Sequence, residues 1–133
     1  MLTGACLCGA VRFEISEPLL EAGYCHCTRC QRRTGTAASV SAGVVPGSLR
    51  VMAGEELIRS FDPPDGYRKY FCSGCGGALW SQDPDDPEAR SVRLGALDSD
   101  PGVRPSYRQY VGNAAPWEPI PDDRLPRFPG PRP

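Results

Sequence analysis

Val11, Phe13 and Ile15 alternate with Arg12 and Glu14, the two-residue period of a strand with one buried face. The strand follows Cys6-Leu7-Cys8-Gly9 directly, so the first cysteines sit on a turn that leads into it. Pro18 interrupts the pattern, and residues 24–27 read as the next extended piece. Residues 28–34 (TRCQRRT) predict a short helix, with Gly35 as its C-terminal stop. Residues 38–44 predict a strand ended by Pro46-Gly47. Leu49 and Val51, followed by Leu57 and Phe61, predict a hairpin around Gly54. After the turn Pro63-Pro64-Asp65-Gly66, residues 67–71 predict a strand that runs into Cys72-Ser73-Gly74-Cys75-Gly76-Gly77, and residues 78–80 leave it. Residues 83–89 (DPDDPEA) read as a loop, and residues 92–97 and 107–111 as the last strands. The sum is a mainly β chain with one short helix after the second cysteine cluster.

Composition supports short strands. The 133 residues make one domain, burying about two-thirds of the unfolded chain's surface. Glycine and proline number 15 each, which disfavours long helices and supplies tight turns. Residues 1–115 are expected to form the domain and residues 116–133 a proline-rich tail packed on it, pinned by Trp117 and Phe128. No internal repeat is present. A net charge of −1 offers no basic field for nucleic acid or anionic membrane. No apolar run approaches the ~20 residues of a membrane span. The start MLTGACLCGAVRFEI has no basic head followed by a long apolar run, so a cytoplasmic, reducing location is expected.

All seven cysteines fall in three clusters: Cys6/Cys8, Cys25/Cys27/Cys30 and Cys72/Cys75. An odd count and pairs too close to bridge without strain argue against a disulfide framework. A redox Cys-x-x-Cys would open a helix within a βαβ unit, and no such unit is legible. A soft metal explains the clusters better, and zinc is the default because it takes four sulfur or nitrogen ligands. Four thiolates close one tetrahedral site and leave three. Three ligands with an open position is how a catalytic zinc is built.

These residues resemble the GFA family, the glutathione-dependent formaldehyde-activating enzymes. The resemblance runs through Gly4 to Phe13, Cys25 to Gly35, Phe71 to Gly76 with Leu79, Leu94 to Asp98, and the tail from Pro116-Trp117 to Phe128. It implies a β-tent fold of short antiparallel strands that clasp zinc. It also implies that Cys6, Cys8, Cys72 and Cys75 hold a structural zinc, and that Cys25, Cys27 and Cys30 hold a second, labile one. The spacing is compatible with that split, since the four join remote parts of the chain and the trio is local.

The expected activity is that of a zinc-dependent carbon–sulfur lyase or thiol–aldehyde adduct enzyme acting on a small thiol such as glutathione. A zinc-stabilised binding module without catalysis is the alternative, because the same fold occurs in centromere protein V. Cys25, Cys27 and Cys30 are the expected catalytic residues. Arg29, Arg32 and Arg33 are candidates to bind the carboxylates of glutathione, against the reading of a solvated helix face. His26 should point away from its cysteine neighbours and pack, with proton transfer as the other possibility. Trp80 and Trp117 are expected to pack, and Asp98 to hold a turn. The sequence leaves the oligomeric state open.

Overall fold

A computed structural model describes all residues from Met1 to Pro133. In chain order it has β1 (Leu2–Ala5), β2 (Arg12–Ile15), β3 (Ala22–Cys25), α1 (Thr28–Thr34), β4 (Ser39–Gly43), β5 (Leu49–Ala53) and β6 (Ile58–Phe61). There follow β7 (Arg68–Cys72), β8 (Ala78–Asp83), β9 (Asp86–Arg93) and β10 (Pro105–Gln109). A three-stranded sheet has the order β1-β2-β5, and a seven-stranded sheet the order β10-β3-β4-β9-β8-β7-β6. Every pairing is antiparallel except β10 on β3. The fold is thus mainly β with one α-helix after the second cysteine cluster, as the hydrophobic pattern predicts. No helix is long and apolar enough to cross a membrane.

The core lies between the sheets. Alternation on β2 turns Phe13 and Ile15 inward, where both are fully buried. On the large sheet, register aligns Tyr70, Trp80, Val92, Ala42 and Ala22 in one row across five strands. Cross-strand partners share a face, so this row presents one apolar surface. The Phe13 ring meets Trp80 edge-on at 5.8 Å, and Trp80 stacks on Tyr70 at 5.8 Å. Residues one step along belong to the opposite face, and there the row reads Lys69, Ser81, Ser91 and Gly43. One sheet therefore carries the core on one side and polar groups on the other.

Several local expectations are corrected. The hairpin around Gly54 does not form: β5 pairs with β2 in the small sheet, and β6 pairs with β7 in the large one. Gly54 has φ +76°, and a Cβ there would lie 2.3 Å from the Ala10 carbonyl oxygen, so this glycine lets the chain pass between sheets. Residues 83–89 are not a loop. β8 and β9 continue through them as a hairpin in which Asp83 and Asp86 carboxylates accept from the backbone amides of Asp85 and Glu88. The strand expected at 92–97 stops at Arg93, and Leu94–Ala96 form a 3-10 turn. β3 lies two residues earlier than expected, because Cys27 is taken as the helix N-cap. β10 ends at Gln109, and Tyr110 adopts φ 57°. β1 carries too short a pattern to be read from sequence.

The segment after residue 116 has no long element but is hydrogen-bonded to the body. Phe128 donates its amide to the Arg108 carbonyl at 2.9 Å and accepts from the Val111 amide at 3.0 Å. The buried Arg108 guanidinium donates twice to the Asp123 carboxylate, at 2.8 and 3.0 Å, and lies 4.0 Å over the Tyr24 ring. Trp117 does not pin the segment: it is 65% exposed.

Phe13→Ala is expected to destabilise the fold by about 3–5 kcal/mol, since it empties the contact between the two sheets; urea unfolding measures this. The hydrogen bonds and charge of Arg108 hold the Asp123 carboxyl below its usual range. Its contribution is therefore complete above the unfolded value of about 4 and is lost as pH falls through the lower folded value. Amide exchange at Phe128 should accelerate over that range in the native protein, whereas Asp123→Asn should already exchange fast at neutral pH. Equal protection in both proteins would assign the tail's attachment to its backbone bonds alone.

Candidate functional site

Two turns bring four sulfurs to one point. Cys6 and Cys8 lie between β1 and β2, Cys72 ends β7, and Cys75 sits in the turn to β8. Their Sγ atoms all lie within 4.8 Å of one another. Cys6 and Cys8 are 3.6 Å apart, against about 3.8 Å for the edge of a tetrahedron with ~2.3 Å zinc–sulfur bonds. Backbone amides face the sulfurs: Val11 N–H points at Cys6 Sγ at 3.3 Å, and Cys8 N–H at Cys75 Sγ at 3.4 Å. Gly77 allows the approach, because a Cβ there would lie 2.8 Å from the Leu7 nitrogen.

The electrostatics of this cluster call for a cation. The amides of Cys8 and Gly77 bring the Cys75 thiol down to about 6. The Ala10 amide acts on Cys8 in the same direction, but the sulfurs of Cys6 and Cys75 outweigh it and push Cys8 up to about 11. Burial raises Cys6, yet the Val11 amide and neighbouring thiols leave it lowered. Sulfurs this close cannot all ionise without a positive ion among them. A divalent metal removes that conflict, and this donor set fits zinc.

The trio is built differently. Cys25 is the last residue of β3, Cys27 caps α1, and Cys30 lies in its first turn. As N-cap, the Cys27 sulfur accepts from the Cys30 amide at 3.3 Å. The three Sγ atoms also lie within 4.8 Å of one another. Hydrogen bonds from Cys25 and Cys27 bring Cys30 to about 2, and Cys25 is driven upward mainly by the same two neighbours, Cys27 and Cys30. Without metal, the negative charge settles on Cys30 in preference to Cys25. His26 stands apart, buried, with Nε2 3.2 Å from the Arg108 guanidinium. Burial first, then Arg108 and Arg127, lower its pKa, so it is neutral and supports β3 against β10.

A cleft of about 620 Å³ opens onto the trio. Arg29 lines it, but its guanidinium is bound to the Asp65 carboxylate and, at 2.6 Å, to the Asp65 carbonyl. Arg32 and Arg33 line an adjoining cavity of about 450 Å³ beside Phe61, Pro63 and Pro64, which shares Arg29 and Lys69 with the cleft. Arg33 also donates to the Tyr70 carbonyl at 2.9 Å and lies 5.8 Å over the Phe71 ring. Asp98 is outside the cleft, where it accepts from Thr3 at 2.6 Å and Arg12 at 3.1 Å and so ties β1 to β2. Trp80 packs in the core.

The cleft floor contains residues that the cysteine spacing did not point to. Lys69, Ser39, Ser41, Ser81, Ser91 and Arg93 come from the polar face of β4, β7, β8 and β9. A signal existed in Ser41-Ala42 and Ser91-Val92-Arg93, where polar residues adjoin core residues in the alternation of a strand.

The family model described as glutathione-dependent formaldehyde-activating enzyme matches residues 1–113. A Halomonas elongata protein, provisionally named a glutathione-dependent formaldehyde-activating enzyme, is 32% identical over 108 residues, covering 75% of this chain and 68% of that protein. A crystal structure of a Rhodobacter sphaeroides protein is similar with a TM-score of 0.61 and 25% identity, over 95% of this chain and 98% of that one.

In the metal-free, reduced protein Cys75, partly exposed and brought down to about 6, should alkylate well before the fully buried Cys72. Added zinc should protect all seven thiols, as followed by mass spectrometry of timed iodoacetamide labelling. Unchanged labelling with zinc would rule out metal binding at these clusters.

Proposed function

The chain belongs to the family of glutathione-dependent formaldehyde-activating enzymes, and on that premise we propose that it is a zinc-dependent carbon–sulfur lyase or thiol–aldehyde adduct enzyme. Cys6, Cys8, Cys72 and Cys75 hold a structural zinc, and Cys25, Cys27 and Cys30 hold a second, labile one. The observation that carries this reading is the cleft at the trio: three sulfurs, one short of a closed tetrahedron, face about 620 Å³ of open space. The reading includes a cytoplasmic location, where seven thiols remain reduced.

Zinc held by Cys25, Cys27 and Cys30 would supply the positive charge that lets an external thiol lose its proton there. The cysteines fix that position: Cys25 from the end of a strand and Cys27 and Cys30 from a capped helix turn. In the forward direction the thiolate sulfur bonds to the carbon of formaldehyde. The carbonyl π pair moves to oxygen, which takes a proton, giving an S-hydroxymethyl thiol. The reverse breaks that carbon–sulfur bond and returns the aldehyde. Three anionic ligands weaken zinc as a Lewis acid, so thiol capture is preferred over carbonyl activation. His26, neutral and engaged with Arg108, is a support for the trio's strand and not the proton carrier.

Mild chelation followed by native mass spectrometry should remove one zinc while the fold persists. Cys30→Ala should stay folded and lose thiol binding. Cys72→Ala should leave the protein molten or insoluble, because structural zinc contributes on the order of 10 kcal/mol to folding. Equal unfolding of the two variants would make the trio structural and favour the binding-module reading.

A further inference from the structure

Lys69 and Arg93 are the cations of the cleft floor without a carboxylate partner. Arg93 is only 8% exposed, and its Nε has no hydrogen-bond partner. Its one side-chain contact is a long 3.5 Å approach of a terminal nitrogen to the Ser81 hydroxyl. A guanidinium taken out of water and left without an acceptor is costly. Lys69 lies on the same face, since it pairs with Ser81, Ser81 pairs with Ser91, and Arg93 follows two residues after Ser91. Two like charges held on one small polar face repel; the Cys30 sulfur acts on both, and a ligand anion between them would add to that effect.

We propose that Lys69 and Arg93 form a carboxylate-binding subsite in the floor of the cleft, which selects thiols that also carry a carboxylate. The proposal rests on the thiol-capture reading and adds which residues choose the substrate. The trio holds the sulfur end, and Ser39 leads from it to Ser41 and Arg93: Ser39 pairs with Cys25 and Ser41 with Arg93. The sulfur and anion positions are thus joined by a strip of small hydroxyl groups. Such a strip suits a polar chain with hydrogen-bonding groups better than an alkyl one. The helix arginines are less suited to this task. Arg29 is neutralised by Asp65, and Arg32 and Arg33 line only the adjoining cavity, whereas Lys69 borders both and Arg93 lines the cleft. Arg93's fork matches a carboxylate in two parallel bonds, and Lys69 adds a mobile ammonium opposite.

The test titrates the zinc-loaded protein by calorimetry with 3-mercaptopropionate and with its uncharged methyl ester, which has the same thiol arm. The carboxylate is expected to bind about tenfold more tightly, the effect of one good charge-assisted contact. The ratio should fall to about one in Lys69→Gln and Arg93→Gln, and stay at about ten in Arg32→Gln. All proteins are compared at equal zinc content. If Arg93→Gln fails to fold, the half-buried Lys69 decides, since its replacement removes no core contact. Equal binding of acid and ester to the native protein, or a preference that survives Lys69→Gln, overturns the subsite and leaves thiol capture intact. Succinate is the third arm. If neither thiol binds but succinate does, with an affinity that Lys69→Gln abolishes, the subsite stands and the thiol-capture reading fails.

Discussion

The meeting of the turn at Cys6–Cys8 with the turn at Cys72–Cys75 joins the small sheet to the large one at a single point. The amide of Cys8 reaches the sulfur of Cys75, so even the backbone of one turn is committed to the other. The rest of the architecture follows from that junction. β2 is brought over the Tyr70–Trp80–Val92 row, and Phe13 and Ile15 find their partners there. Four thiols at such short range repel as anions and are poorly stable as a neutral set, since the Cys75 thiol ionises at about 6 while Cys8 resists until about 11. A cation at this point converts the most strained contact between the sheets into the strongest one.

The second constraint is register. A one-residue slip of β9 against β8 would exchange Val92 for Ser91 and Arg93, placing a guanidinium in the core. The same alternation that encloses Val92 thus lays out the cleft floor. Core and cleft are two sides of a single sheet and cannot be altered independently. This explains how so small a chain supports a polar site of several hundred cubic ångströms: it uses the face that the core leaves over.

Sequence reasoning recovered the parts governed by local rules. The seven residues of α1 coincide with the predicted helix because an N-capping side chain at Cys27 and a left-handed glycine at Gly35 mark both ends. The three cysteine clusters assemble into a group of four and a group of three, the grouping that the family resemblance implied and the spacing allowed. What depended on tertiary pairing was not legible. Leu49/Val51 and Leu57/Phe61 have the alternation of a hairpin, but nothing local shows that their partners lie in different sheets. The prolines of residues 83–89 signal a loop, whereas aspartate side chains satisfy the amides and let the hairpin run through. Lys69 and Arg93 were missed because they are far apart in sequence and meet only through two strand pairings.

The placement of the trio separates its fate from that of the fold. Cys25, Cys27 and Cys30 span one strand end and one helix turn, so binding between them closes a short loop and adds little constraint to the unfolded chain. The four-cysteine group closes a loop of more than sixty residues between Cys8 and Cys72, where cross-linking restricts far more of the chain. Hydrogen bonds from Cys25 and Cys27 favour negative charge at Cys30, so the trio can hold a thiolate even without metal. A local, electrostatically favoured set of thiolates can gain and lose an ion at small structural cost. On the proposed thiol-capture reading the trio needs that freedom, and a junction between two sheets cannot have it.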